Sequence, residues 1–261
     1  MDNKIHLSVV IPAYNEEKRI AVTLLDIDRY LSQQNYPPAT PSRSDGGRGN
    51  YEIIVISDGS KDNTAIVATK TGELIKNLRV IDNKENHGKG YVTKQGMLEA
   101  RGEYRLFMDA DNSTKIDHLD LFWPEFNNGN DIVIGSIEVK GSKIEEKSAW
   151  YRRFLGRVSK YIIRIVAGLW EIKDSQRGFK CFNQKSAEAI FPKQTLTRWG
   201  FDFEILALAK KMKFKTKEMP VDWHNPGESK VKLSSYIKTF VELLKIKYNF
   251  ITNKYKINEI K

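Results

Sequence analysis

A single cysteine, Cys181, stands among the 261 residues. No intramolecular disulfide can form, which excludes a disulfide-stapled secreted scaffold and fits a reducing compartment. Long apolar runs are missing too. The most apolar stretch, around Tyr161–Trp170, is interrupted by Arg164 and falls short of the roughly 20 residues that span a bilayer. No signal-peptide pattern opens the chain, since Met1-Asp2-Asn3-Lys4 leads straight into a short apolar run. A cytoplasmic location is therefore expected. Negative charge is also scarce: 33 acidic residues against 43 basic ones leave a formal charge of +10. Such a surplus calls for anionic partners, namely phosphorylated metabolites, an anionic membrane face or nucleic acid. Hydrophobic residues make up 40%, ordinary for a soluble chain long enough for one large domain or two small ones.

What is present is a strand–helix alternation. Ile5–Ile11 reads as a buried strand stopped by Pro12, and Glu16–Ser32 carries Ile20, Leu24, Ile27 and Leu31 at helical spacing. Asn35–Asn50 is a Pro/Ser/Gly/Arg-rich loop. Strand Tyr51–Ser57 runs into Asp58-Gly59-Ser60, with a helix from about Asp62. Strand Leu78–Asn83 precedes a glycine turn, His87-Gly88-Lys89-Gly90, that opens a helix to about Ala100. Strand Tyr104–Met108, helix Ile116–Asn127 and strand Asp131–Gly135 follow. The pattern then turns helical, with Trp150–Leu169, Gln184–Ile190, a helix opening at Trp199–Glu204 and ending near Lys213, strand Lys215–Trp223, and helix Tyr236–Ile251. This order predicts an α/β fold with a doubly wound, mostly parallel sheet, helices on both faces and a basic helical C-terminal extension.

Asp109 and Asp111 follow the apolar run Arg105–Met108. In extended backbone, residues two apart point the same way, so both carboxylates can face one point past a strand end, where open α/β sheets bind ligands. Two hard oxygen donors there suit Mg²⁺ or Mn²⁺ bridging a pyrophosphate. On its own the tripeptide fits a solvated turn with a helix cap as well.

Four motifs carry a resemblance. Pro12-Ala13-Tyr14-Asn15-Glu16-Glu17, Ser57-Asp58-Gly59-Ser60-Lys61-Asp62-Asn63-Thr64, Gly88-Lys89-Gly90 and Asp109-Ala110-Asp111 resemble, in order and spacing, the family 2 glycosyltransferases of the GT-A fold. The likeness spans residues 5–235. Asp174–Lys180, Trp199–Glu204 and Gly227-Glu228-Ser229-Lys230-Val231 look like the branch that loads a sugar onto a polyprenyl phosphate, particularly the dolichyl-phosphate glucosyltransferases. The resemblance implies a catalytic domain over 1–230, split into a nucleotide-sugar half (1–115) and an acceptor half (116–230), with 231–261 as the basic amphipathic extension.

It also implies roles. Asp58 would recognise the nucleotide base, with Pro12, Tyr14, Glu16 and Ile56 as neighbouring donor contacts. Lys89, between two glycines at a helix start, would meet phosphate, as backbone N–H groups there also do. Asp111 would be the first metal ligand, Asp109 would serve the ribose, the sugar or the metal, and Ala110 between them would be a substrate contact. Arg177 and Lys230 would hold donor or acceptor phosphate. Asp202 stands where many members carry a catalytic base, needed for a sugar hydroxyl. A phosphate acceptor, whose second pKa is about 6, needs none, and Asp202 would then only orient it. His224 and Ile137 stand where arginines are common in related members, which leaves the sugar and the acceptor contacts open.

The implied reaction is inverting transfer of a hexose, glucose favoured, from a nucleotide sugar, UDP-glucose favoured, to a polyprenyl or dolichyl phosphate. A saccharide acceptor is the alternative. Nucleic acid is set aside, because paired carboxylates repel phosphate unless a metal intervenes. Two helices bear on the membrane. Trp150–Leu169 carries an apolar stripe and a second stripe of Arg153, Arg157, Lys160 and Arg164, and Lys230–Lys261 holds eight lysines against Glu242 and Glu259. Both helices fit peripheral binding on the cytoplasmic membrane face, and both fit packing on the catalytic core. A membrane-anchored partner protein is a further expectation.

Overall fold

Residues along the central strands alternate between two apolar faces, the pattern of a sheet covered on both sides. In β1 (Leu7–Ala13), Leu7, Val9 and Ile11 enter one cluster and Val10 the other. In β5 (Ile132–Ser136), Val133 opposes Ile132 and Ile134 in the same way. The computed structural model describes residues 5–34, 50–142, 144–145, 161–224 and 233–257.

Seven strands form the main sheet. With β2 (Tyr51–Asp58), β3 (Leu78–Asn83), β4 (Tyr104–Met108), β7 (Phe179–Asn183) and β8 (Thr216–Pro220), the order is β3-β2-β1-β4-β7-β5-β8. All neighbours run parallel except β7, which is antiparallel to both β4 and β5. A small second sheet pairs β6 (Ile144–Glu145) with β9 (Trp223–His224). One face is covered by α1 (Ile20–Gln33), α2 (Thr64–Gly72), a 3₁₀ turn at Ile116–Leu121 and α4 (Trp123–Asn127). The other is covered by α3 (Lys89–Glu99), α5 (residues 161–167), α6 (Gln184–Ile190), α7 (Phe201–Lys211) and α8 (Leu233–Ile251). The expected doubly wound sheet is thus present.

Several boundaries differ from expectation, each for a local reason. β1 does not stop at Pro12 but pairs it with Ile56. Its other neighbour, β4, is last paired at Val10, so the missing proline N–H costs no ladder bond. The expected helix Ile116–Asn127 breaks into the 3₁₀ turn and α4, with Pro124 in the first turn of α4, where a helix tolerates proline. Strand β7 lies within the run that no strand was expected to occupy, because Lys180 interrupts its apolar pattern. The Asn35–Asn50 loop, apart from Asn50, and the Trp150–Lys160 part of the expected helix lie outside the described residues. Among described helices, none is long and apolar enough to cross a membrane.

Candidate active site

The C-terminal ends of β1, β2, β4 and β5 lie at one edge of the sheet, and β7 starts there, since Phe179 pairs with Met108. Asp109 is the first residue past β4. Its N–H donates to the Gly178 carbonyl (3.0 Å), and a Cβ on Gly178 would collide with its carboxylate. Glycine there leaves room for the Asp109 carboxylate against the start of β7. Lys89, the first residue of α3, places Nζ 2.5 Å from Asp109 Oδ1 and 5.6 Å from the centre of the exposed Trp199 ring. Burial opposes the charge of Lys89, but Asp109, Asp202 and Asp111 outweigh it and raise its pKa above the usual lysine value.

Asp111 Oδ1 accepts from the Ser113 N–H (3.0 Å), and Asn112 between them takes a left-handed φ of 55°. Asn112 Nδ2 donates to Asp26 Oδ2 (3.0 Å), while its Oδ1 is buried without a hydrogen-bond partner among the described residues. The His224 N–H donates to the Ser113 carbonyl (3.0 Å), so β9 is tied to this turn. No group of three or more His, Cys, Asp and Glu able to hold a metal occurs among the described residues. Two carboxylates at one turn are nonetheless the donor set for Mg²⁺ or Mn²⁺, which keep waters and substrate phosphates as their remaining ligands.

Behind Lys89 lies a second charged pair. Asp202, in the first turn of α7, places Oδ1 2.5 Å from Lys180 Nζ, and both side chains are buried. Lys180 Nζ also donates to the Arg177 carbonyl. Burial pushes the Asp202 carboxyl up, opposed by Lys180 and Lys89. Arg177 itself is held by Asp174, Nε to Oδ2 at 3.0 Å, with its guanidinium 4.8 Å from the Trp223 ring centre.

Lys89, Asp109, Asp111 and Asp202 therefore form one cluster, with Arg177 next in chain to Gly178 at its side. Tyr14, exposed just past β1, stays available at the same edge. The other residues named from the sequence are placed as follows. Asp58 is buried, and its oxygens accept from the N–H groups of His87 (2.7 Å) and Gly88 (2.9 Å) and from Asn86 Nδ2 (2.9 Å). Its carboxylate clamps the turn that carries Lys89. Ile56 is sealed in the core, and Pro12 is buried beside it in the sheet. Ala110 is buried, with its carbonyl accepting from Thr23 Oγ1 (2.8 Å). Glu16 pairs with Arg19 at 2.7 Å. Lys230 lies outside the described residues. Lys180, Asp174 and Trp199 were given no role from sequence. The one available signal was a lysine in the alternating stretch Phe-Lys-Cys-Phe.

A model of the family described as Glycosyl transferase family 2 matches residues 8–191. A dolichyl-phosphate β-glucosyltransferase of Trichomonas vaginalis is 35% identical over 263 residues, covering 99% of this chain and 78% of the relative. Those of Dictyostelium discoideum and Saccharomyces cerevisiae are 35% and 31% identical, over 98% and 99% of this chain and 78% and 79% of theirs. Glucosyl-3-phosphoglycerate synthase from Mycobacterium tuberculosis, crystallised with Mn²⁺, UDP and phosphoglyceric acid, superposes with a TM-score of 0.62 at 18% identity, covering 93% of this chain and 78% of that one. That likeness speaks for the fold, in agreement with the expected GT-A architecture.

Proposed function

This chain belongs to glycosyl transferase family 2, and on that footing we propose that it transfers glucose from UDP-glucose to dolichyl phosphate, or a related polyprenyl phosphate, at the cytoplasmic face of a membrane. The observation that carries the reading is the meeting of Lys89, Asp109 and Asp111 with the buried Asp202–Lys180 pair at one edge of the sheet. The named activity of the relatives supports the lipid phosphate acceptor.

Lys89 meets the donor diphosphate, held at the sheet edge by the turn that Asp58 clamps. Asp111 and Asp109 would hold Mg²⁺ or Mn²⁺, which when bound would neutralise charge growing on the leaving diphosphate. Arg177, and Lys230 of the Gly227–Val231 motif, hold the acceptor phosphate. An acceptor oxygen attacks the anomeric carbon as the bond to UDP breaks, with inversion. The phosphate is already mostly dianionic at neutral pH, its second pKa being about 6, so no side chain need take its proton. Asp202 orients rather than deprotonates. The protein contributes mainly positioning and preorganised charge.

The test is transfer from radiolabelled UDP-glucose, in Mg²⁺ or Mn²⁺, to a short-chain polyprenyl phosphate in detergent. Label entering the organic phase is the expected result. Donor hydrolysis without lipid-linked label would discard this acceptor and keep the glycosyltransferase.

A further inference from the structure

Helix α8 is apolar on two opposite sides. Leu243, Ile246 and Asn249 are buried against the helical layer over the sheet. Phe240, Val241, Leu244, Tyr248 and Ile251 are 45%, 58%, 47%, 63% and 75% exposed. At about 100° per residue, those five share an arc of about 100° whose centre lies across the helix from the buried side. One flank of the arc carries Lys247 and the other Lys238 and Lys245, all exposed. The outer stripe is therefore largely open to solvent and lies outside both core clusters, and it is bordered by cations on both sides.

We propose that this outer face of α8 docks on an anionic bilayer surface. The stripe would enter the boundary between headgroups and acyl chains, with the flanking lysines at the anionic headgroups. Charge complementarity selects this occupant over a second copy of the chain, because protein interfaces are depleted of lysine. The choice of a bilayer rests also on the lipid-acceptor reading. Docking there sets the position of the active site. Glu242, on the inner side of α8, accepts from the Gly200 N–H at 2.8 Å, between Trp199 and the α7 turn that bears Asp202. Asn249 Nδ2 donates to Thr195 Oγ1 at 3.1 Å in the same segment. A docked α8 thus fixes the 195–202 stretch at a set height above the membrane.

The test uses the full chain, with phosphatidylcholine vesicles containing phosphatidylserine and no polyprenyl phosphate. Co-sedimentation is expected for the wild type, with binding weaker by at least tenfold in the Leu244→Asp/Tyr248→Asp variant and on pure phosphatidylcholine. Melting temperature checks that the variant folds. Transfer to the short-chain acceptor in detergent, which has no bilayer, is expected to be equal in both proteins. Equal vesicle binding by variant and wild type would overturn the proposal. So would a wild-type dimer, seen by analytical ultracentrifugation, that the variant dissolves without change in vesicle binding. Vesicle binding without any transfer in detergent would instead overturn the lipid-acceptor reading and leave the docking face standing.

Discussion

Asp111 and the Lys180–Asp202 pair respond differently to substitution because they differ in burial. Asp111 is partly exposed and accepts one backbone hydrogen bond. Asp111→Ala should therefore cost little stability while lowering transfer by about 10²–10³-fold, the usual effect of losing one electrostatic contact to a developing charge. Steady-state rates beside a thermal melt check this, and an unchanged rate would remove Asp111 from the site. Lys180 and Asp202 are both buried at 2.5 Å. Lys180→Met or Asp202→Leu alone leaves one uncompensated buried charge, which costs about 3–5 kcal/mol, whereas replacing both by apolar residues is often close to neutral. Urea unfolding of the two single variants and the double variant should show this non-additivity. Additive losses would mean that the pair is not coupled. At this scale the sequence was legible where charge meets a strand end, as at Lys89, Asp109 and Asp111. It was silent where a side chain's partner lies far along the chain. Asp58 is turned inward by His87 and Gly88, about thirty residues on, and nothing in its own motif announces that.

Elements were legible wherever one period dominates. The alternating strands and the α1 stripe of Ile20, Leu24, Ile27 and Leu31 were found from spacing, and those four residues are indeed buried. Spacing could not say which side of a helix faces in when two sides are apolar. The stripe expected over Trp150–Leu169 includes Tyr161 and Ile165, which are exposed, while Ile163 is buried. Helix α8 repeats this: Phe240, Val241, Leu244, Tyr248 and Ile251 stand at helical spacing and are exposed, while Leu243 and Ile246 are buried. Its inner side is the one with Leu243 and Ile246 in the core, and a polar clamp ties the segment after it to α7. Glu204, fully buried in α7, accepts from the N–H groups of Thr195 (3.0 Å) and Leu196 (2.8 Å) and from the Tyr255 hydroxyl (2.8 Å) beyond α8. Tyr255→Phe removes one donor and leaves the others, so it should cost about 1.5–3 kcal/mol, the range for a hydrogen bond to a charged group. Glu204→Ala, which strands several buried donors, should cost distinctly more. Chemical denaturation ranks the two, and equal losses would mean that Tyr255 alone carries the clamp.

For the whole molecule, the formal charge of +10 acts at long range and the buried pairs at short range, and salt separates the two. Between about 0.1 M and 1 M ionic strength the Debye length contracts from about 10 Å to about 3 Å. The general attraction of a cationic protein for a nucleotide sugar is then screened. Lys89 and Asp109 touch at 2.5 Å, and Lys180 and Asp202 are buried at the same distance, so salt reaches these contacts much less. The expected result is a KM for UDP-glucose that rises several-fold across this range, with kcat in the detergent assay nearly constant. Initial rates at saturating and limiting donor distinguish the two constants. A fall in kcat with KM unchanged would mean that salt acts on the charged cluster itself, and that the cluster is more open to solvent than its contacts imply. Constant values of both would mean that the surplus of basic residues does not serve the donor, leaving the acceptor side, with its flanking lysines on α8, as the place where that charge is used.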